Sequence, residues 1–437
     1  MTHPHFSRTQ LRRAVLSSYL GSVIEYYDFL LYATASAVVF GQVFFSNLDP
    51  LVGTVASFGT LATGYIARPL GGIVFGHFGD RIGRKKMLVL SMVMMGVGST
   101  LVGLLPTYAQ IGVWAPILLV FLRVLQGIAV GGEWGGAVLM SAEHATSRRG
   151  LWASFTNAGA PSGVVLSTLV LAAAASLTGE EAFLAWGWRI PFLLSFVLLA
   201  IGLFVRARVA ETPVFTEAAA TKPAKPPLLD VLRHHRRNLL LSIGVGVGAF
   251  IAQGTITTFL ISYAVQAGFA RPTVLNALTL SSSVAIFGII GYSALSDRVG
   301  RKPVVIAGAA AMAVFAFLFF PMVDSGSTLL LTLAIVLGQG VVHPAWYGPL
   351  AALYTELFST GSRYTGASLG YQVAGLGGGI APLVFASVLA GGGSTITVSI
   401  IIAASCLLCI GCILALRETA TTDLTADLET AATLAAR

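Results

Sequence analysis

Apolar residues run through this chain in long unbroken stretches, with polar positions confined to the gaps between them. Twelve stretches stand out, at about 14–45, 52–75, 87–106, 115–140, 151–176, 190–206, 238–263, 274–294, 303–322, 328–350, 365–390 and 395–416. A helix that crosses a bilayer needs roughly 17 to 25 mostly apolar residues, and each stretch predicts one. A membrane β-barrel would instead show segments of alternating polarity about ten residues long, and these stretches do not alternate. The fold class expected is therefore an all-α polytopic membrane protein with twelve transmembrane helices in two pseudo-symmetric six-helix bundles. The widest polar gap separates six stretches from six. It holds Lys222-Pro223-Ala224-Lys225-Pro226-Pro227 and Arg233-His234-His235-Arg236-Arg237, and its prolines preclude a continuous helix. The division expected is an N-terminal bundle over 1–206, a cytoplasmic linker over 207–237 with one short surface helix around Leu228–His235, a C-terminal bundle over 238–417 and a cytoplasmic tail over 418–437.

Composition agrees with immersion in lipid. Of 437 residues 56% are hydrophobic and 10% charged, where soluble domains carry about 25% charge. The 49 glycines fit helices that must approach closely without a hydrophobic drive between them. The net charge of +8 raises the question of nucleic acid, but its distribution is topological. With the N-terminus inside, 22 of the 26 Lys and Arg fall in cytoplasmic segments, Arg189 and Arg271 fall outside, and Arg68 and Arg123 lie within helices. That is the positive-inside pattern, which places both termini in the cytoplasm of a bacterial inner membrane and predicts no nucleic-acid partner. The first stretch carries Glu25 and Asp28 and no small-residue cleavage site, so it is expected to persist as a helix. Cys406, Cys409 and Cys412 lie inside the last apolar run without acidic or His neighbours, and are expected to pack rather than bind metal. Gly244-x-Gly246-x-Gly248 lies within another apolar run with no strand before it, so it is no nucleotide loop.

The two halves repeat one another. Gly76-His-Phe-Gly79-Asp80-Arg81-Ile-Gly83-Arg84-Lys85-Lys86 follows helix 2, and Ser293-Ala-Leu-Ser296-Asp297-Arg298-Val-Gly300-Arg301-Lys302 follows helix 8. Glu143 to Arg149 and Glu356 to Arg363 form a weaker second pair. Two parallel six-helix repeats with a site between them near the midplane are a transporter architecture. The first motif resembles the signature of the major facilitator superfamily. Five further stretches resemble one branch, the metabolite:proton symporters, whose members carry shikimate, α-ketoglutarate, citrate and proline or betaine. They are Glu25-Tyr-Tyr-Asp28-Phe29, Ala67-Arg68-Pro69-Leu70-Gly71, Arg123-x-x-Gln126-Gly127 running to Gly131-Gly132-Glu133, Trp188-Arg189-Ile190-Pro191-Phe192, and Glu356-Leu-Phe358 with Arg363-Tyr-Thr-Gly366. The resemblance spans about Arg12 to Glu418. It implies a proton-coupled symporter importing a small polar or anionic metabolite, driven by the proton gradient with no cofactor, acting as a monomer with membrane lipid around it.

Charge inside a bilayer is costly and so marks function. Glu25, Asp28 and Tyr32 share one helical face at about mid-depth. Two carboxylates so close cannot both stay ionised without a compensating cation, which makes Asp28, then Glu25, proton-coupling candidates, with Glu133 in reserve. The bland alternative is a permanent salt bridge to Arg68 or Arg123. Both arginines are fixed positive charges whose planar fork suits a carboxylate, and substrate competing with Asp28 for that fork would couple the two. Gln126 and Tyr32 join them as substrate-binding candidates, with Gln253, Tyr263, His343, Tyr347 and Gln372 from the second half. Asp80, Arg81, Arg84 and Glu143 are read as a cytoplasmic gate, and Asp297, Arg298 and Arg301 as its counterpart. A facilitator or drug exporter is the rival within transporters, and a transporter-like nutrient sensor the rival outside them. No nucleophile–base set or Walker motif supports an enzyme.

Overall fold

A computed structural model describes residues 8–212, 214–216, 227–422 and 424, and shows twelve long helices among them. In the first half these are α1 (Arg8–Val38), α2 (Pro50–Ile82), α3 (Arg84–Leu104), α4 (Trp114–His144), α5 (Arg149–Thr178) and α6 (Arg189–Ala207). In the second they are α7 (Arg236–Gln266), α8 (Arg271–Val299), α9 (Arg301–Asp324), α10 (Thr328–Glu356), α11 (Arg363–Ala390) and α12 (Thr395–Ala415). The expected linker helix is present as Pro227–His234. Ten of the twelve are long and apolar enough to cross a membrane. The other two, α1 and α2, carry charges within their apolar runs, Glu25 and Asp28 in one and Arg68 in the other.

The pairing of helices displays the internal repeat. Within the first half α1 packs on α5, α2 on α4 and α3 on α6, and the second half repeats this as α7 on α11, α8 on α10 and α9 on α12. The halves meet along two equivalent seams, α2 against α11 and α5 against α8. Glycine brings α2 and α4 together: a Cβ at Gly71 would strike the Ile128 carbonyl, one at Gly131 the Arg68 carbonyl, and one at Gly127 the Gly64 carbonyl. The turns joining α2 to α3 and α8 to α9 are also equivalent, pivoting on Gly83 (φ 113°) and Gly300 (φ 99°), a backbone region open to glycine and strained for other residues.

Hydropathy located the helices but not their full reach. Helix α1 begins before the apolar run and stops at Val38, and a separate short helix follows at Phe40–Phe44. Helices α2 and α4 extend beyond their apolar runs through the polar residues of 76–82 and 141–144. Helices α7 and α10 each contain a π-helical turn, at Thr255–Phe259 and Val336–Val342, which periodicity does not reveal.

Candidate functional site

The charged residues of the first bundle form a layer midway along α1, α2 and α4. Phe29 lies at its centre, with the Arg68 and Arg123 guanidinium carbons 4.8 and 5.1 Å from its ring centroid. Arg68 also stands 4.5 Å over Tyr65, and Arg123 4.2 Å over Tyr32. The ring faces attract cations without using their N–H donors. Gly64 leaves room for Arg123, since a Cβ there would lie 2.6 Å from its Nε. Tyr32 shares a 2.7 Å hydrogen bond with Thr60.

The expected alternative of a permanent salt bridge does not occur. Among the described residues, no ion pair within 4 Å joins Arg68 or Arg123 to Glu25 or Asp28, although all four are buried. Asp28 is reached indirectly. Arg123 Nη1 donates to Gln126 Oε1 at 3.4 Å and Gln126 Nε2 donates to Ser99 Oγ at 2.8 Å, and Ser99 stands beside the Asp28 carboxylate. Ser195 donates to the same carboxylate at 2.5 Å, while Asp28 Oδ2, Glu25 Oε2 and Arg123 Nε have no partner within the protein. Serines 99 and 195, from α3 and α6, carry no sequence signal of this role, because isolated serines are common in membrane helices.

Several candidates lie elsewhere. Glu133 pairs with Arg206, also accepts from Ser91 at 2.6 Å, and packs against α1 at Gly21. It therefore lies below the charged layer as one half of an ion pair, not as a free carboxylate. Tyr263 donates to Asp324 at 2.5 Å at the outer ends of α7 and α9, away from the midplane. Gln253 is part-exposed on α7. Of the remaining candidates, Gln372 and Tyr347 meet the first bundle, Tyr347 through its carbonyl, which accepts from Asn157, while His343 bonds within the second. Gln372 Nε2 lies 3.3 Å from the Val130 and Gly131 carbonyls. Tyr347 shares a 2.6 Å bond with Tyr371 and stacks on His343, whose Nε2 is 3.1 Å from the Ala249 carbonyl.

At the end of the bundles where α2 meets α3 and α8 meets α9, the repeated motif builds two locks across the seams. Asp80 accepts from the backbone N–H of Tyr364 (3.1 Å) and Thr365 (2.9 Å), at the start of α11, and from the Thr365 hydroxyl (2.9 Å). Arg84 lies 3.5 Å from both Asp80 and Glu143, and Arg363 donates to Glu143 at 3.1 Å. The second copy does the same: Asp297 accepts from Gly150 N and Leu151 N at 2.8 Å each, Arg301 pairs with Asp297 (2.7 Å) and Glu356 (3.0 Å), and Arg149 lies 3.9 Å from Glu356. A helix N-terminus offers free N–H groups and a positive dipole end, so each aspartate joins one bundle to the backbone of the other. Arg81 and Arg298 are exposed and make none of these ion pairs, so they do not join the locks.

A second internal repeat, unnoticed in the sequence, supports the locks. Glu211-Thr212 follows α6 and Glu418-Thr419 follows α12. Glu211 accepts from Lys85 N at 3.1 Å, and Glu418 from Arg301 N at 2.8 Å and Lys302 N at 3.1 Å. Thr419 donates to Glu356 at 2.6 Å, and Thr212 stands beside Glu143 in the equivalent place. Two shared letters are too short a signal to find by inspection.

Known proteins place this architecture. The model of the Major Facilitator Superfamily matches residues 18–382. The chain is 39% identical over 411 residues to the shikimate transporter of Escherichia coli K12, covering 92% of this chain and 93% of that protein. It is 39% identical over 389 residues to the inner membrane metabolite transport protein YhjE of the same organism (86% and 87% covered). It is 32% identical over 391 residues to the proline/betaine transporter of Salmonella typhimurium (86% and 77% covered). In fold it matches the proton:xylose symporter XylE bound to 6-bromo-6-deoxy-D-glucose, with a TM-score of 0.77 at 18% identity over 97% of this chain and 99% of that one. With two six-helix repeats, a motif copied at both seams and these relatives, the chain belongs to the Major Facilitator Superfamily, in its metabolite:proton symporter branch, and is a multi-pass membrane transporter, not an enzyme.

Proposed function

We propose that this transporter imports a small metabolite anion together with a proton by alternating access, with Arg68 and Arg123 receiving the anion and Asp28 the proton. The observation that carries this reading is that Arg123 makes no ion pair with Asp28 and instead bonds Gln126, which bonds Ser99 beside the Asp28 carboxylate, a relay poised to reach it. A direct ion pair would satisfy both charges permanently. The relay leaves the fork free for substrate while making its orientation depend on what Asp28 accepts. An ionised Asp28 draws the Ser99 hydroxyl, which frees the serine oxygen to accept from Gln126 and turns the amide oxygen towards Arg123. A protonated Asp28 can itself donate, and the chain of donors loosens. Binding of a carboxylate at Arg123 and of a proton at Asp28 thus favour one another. Burial makes the exchange consequential, since unpaired charge in a membrane interior costs several kcal/mol.

The relatives include carriers named for shikimate and for proline or betaine, and the site favours the first kind. A quaternary ammonium would seek the faces of Phe29, Tyr32 and Tyr65, and these are already taken by the two arginines. The test is uptake into proteoliposomes of a panel of labelled organic acids, amino acids and betaines, with and without an inward proton gradient. Gradient-driven accumulation of an organic acid supports the reading. Accumulation of betaines alone, or uptake indifferent to the gradient, would overturn it.

A further inference from the structure

Between the charged layer and the two locks, both bundles send aromatic side chains to one point. Tyr371 of α11 and Tyr347 of α10 share a 2.6 Å hydrogen bond, and the Tyr26 side chain of α1 comes up against this pair. Trp134 of α4 lies flat on Tyr371, ring centroids 3.5 Å apart and planes 8° from parallel. Its indole N–H donates to Asn157 of α5 at 2.8 Å, and Asn157 in turn donates to the Tyr347 carbonyl at 2.9 Å. Trp134, Asn157, Tyr347 and Tyr371 are each at most 2% exposed.

Ownership of these groups decides what they do. Tyr347 and Tyr371 belong to the second bundle and stay bonded to each other when the bundles separate. Tyr26, Trp134 and Asn157 belong to the first, and each must release a partner in the second. Along α11, Tyr371 stands seven residues above Tyr364, about 10 Å at the helical rise. Along α1, Tyr26 lies one residue from Glu25 and two from Asp28. The cluster is thus the floor of the charged layer and a barrier separate from the ionic locks.

We infer that Tyr26, Trp134 and Asn157 form an inner latch on the Tyr347–Tyr371 pair, in series with the ion locks, and that transport requires it to break. The inference rests on the alternating-access part of the proposed function and is independent of which solute or carboxylate is involved. A polar contact between buried phenols and a stacked ring pair each shift an equilibrium by about fivefold, weak enough to be reversible and strong enough to move a two-state balance. The latch also explains why these side chains are polar aromatics. Aliphatic groups would fill the space but would not hold the bundles in register.

The experiment needs no substrate. Ser368 lies between the latch and the locks, and its hydroxyl is buried without a partner. Ser368→Cys, in full-length protein with Cys406, Cys409 and Cys412 replaced by alanine, is labelled from the cytoplasmic face with a membrane-impermeant thiol reagent. Tyr26→Phe and Trp134→Leu are expected to speed labelling by about threefold to tenfold, in line with loss of one such contact. Tyr354→Phe is the control, because its hydroxyl bonds the Ser242 carbonyl within the second bundle at 2.6 Å and its loss should leave the rate unchanged. Asp80→Asn, which weakens an ionic lock, should raise it. If Asp80→Asn speeds labelling but Tyr26→Phe and Trp134→Leu do not, the latch is wrong and the closed-gate reading stands. If Tyr354→Phe speeds labelling as much as they do, the effect is general loosening and the latch is again wrong. If no variant changes the rate, separation of the bundles at this seam is wrong, and the latch fails with it.

Discussion

Each residue of the charged layer has a separable task. Asp28→Asn keeps a side chain that can bond Ser195 and stand beside Ser99 but cannot cycle a proton. It is expected to abolish uphill accumulation while preserving exchange of substrate across the membrane, measured as counterflow in proteoliposomes. Arg123→Lys keeps the charge and loses the fork, so its apparent affinity for a carboxylate should fall about tenfold, equivalent to roughly 1.4 kcal/mol. Affinity for a neutral analogue should change little, and equal losses for both would reduce Arg123 to a structural cation. Gln126→Leu breaks the relay without touching either charge, and should flatten the pH dependence of uptake more than it alters affinity at a single pH. The ionisable members were legible in the sequence because charge in an apolar run is conspicuous. Ser99, Ser195 and Asn157 were not, since a small polar residue in a helix looks the same whether it bonds its own backbone or a neighbour's carboxylate. Glu133 shows the converse error: the sequence displays a membrane carboxylate but not that Arg206, on another helix, neutralises it.

Helix ends matter more than helix middles for the two locks. Asp80 and Asp297 each accept from two backbone N–H groups at the start of a facing helix, and such charge-assisted bonds are worth about 1.5–3 kcal/mol apiece. Asp297→Asn should therefore impair transport about as severely as Asp80→Asn, with both proteins still inserted in the membrane. A defect in Asp80→Asn alone would show the second lock to be idle. The tail after α12 contributes a titratable brace. Partial burial pushes the Glu418 carboxyl up, but backbone N–H donors from Arg301, Lys302, Ala420 and Thr419 outweigh it and hold it below its ordinary value. A depressed carboxylate stabilises the docked tail above the ordinary glutamate range, and that stabilisation is lost as pH falls through the lowered value. Protection of residues 418–422 from proteolysis in inside-out vesicles should hold from neutral pH down into the ordinary glutamate range and be lost only below it, as pH falls through the lowered value. Glu418→Gln should be less protected at neutral pH and lack the acid step. Helices were legible from their apolar runs and the locks from the repeated Asp-Arg-x-Gly-Arg pattern. The π-helical turns of α7 and α10 were not, because one extra residue per turn leaves hydropathy unchanged.

For the whole molecule, the repeat was the most informative property of the sequence, because it implied two bundles, two seams and a site between them. What it could not give was which helices face across a seam: α2 meeting α11, and α5 meeting α8, follows from three-dimensional assembly alone. The distribution of basic residues makes a further claim about the whole, that both termini face the cytoplasm. A reporter fused after Arg417 should be active only in its cytoplasmic form, and a periplasmic signal would reverse the topology. The locks also bear on how this protein can change over generations. In each, the gripping side is a single aspartate, and apart from the Thr365 hydroxyl on Asp80 what it grips is main chain, which every amino acid except proline supplies. Substitutions on the receiving side should therefore be cheap: Leu151→Ala leaves its N–H in place and should transport normally. Leu151→Pro, tolerated by the first turn of a helix, removes one of the two amides that Asp297 holds and should behave like a loss of that aspartate. Genetic drift can rewrite the positions that offer only an amide almost freely while each aspartate is held to a single residue, so second-site revertants of a weakened lock are expected at Glu143 or Glu356 and their arginines, Arg363 and Arg149 among them, and not at positions such as Leu151 that contribute main chain alone.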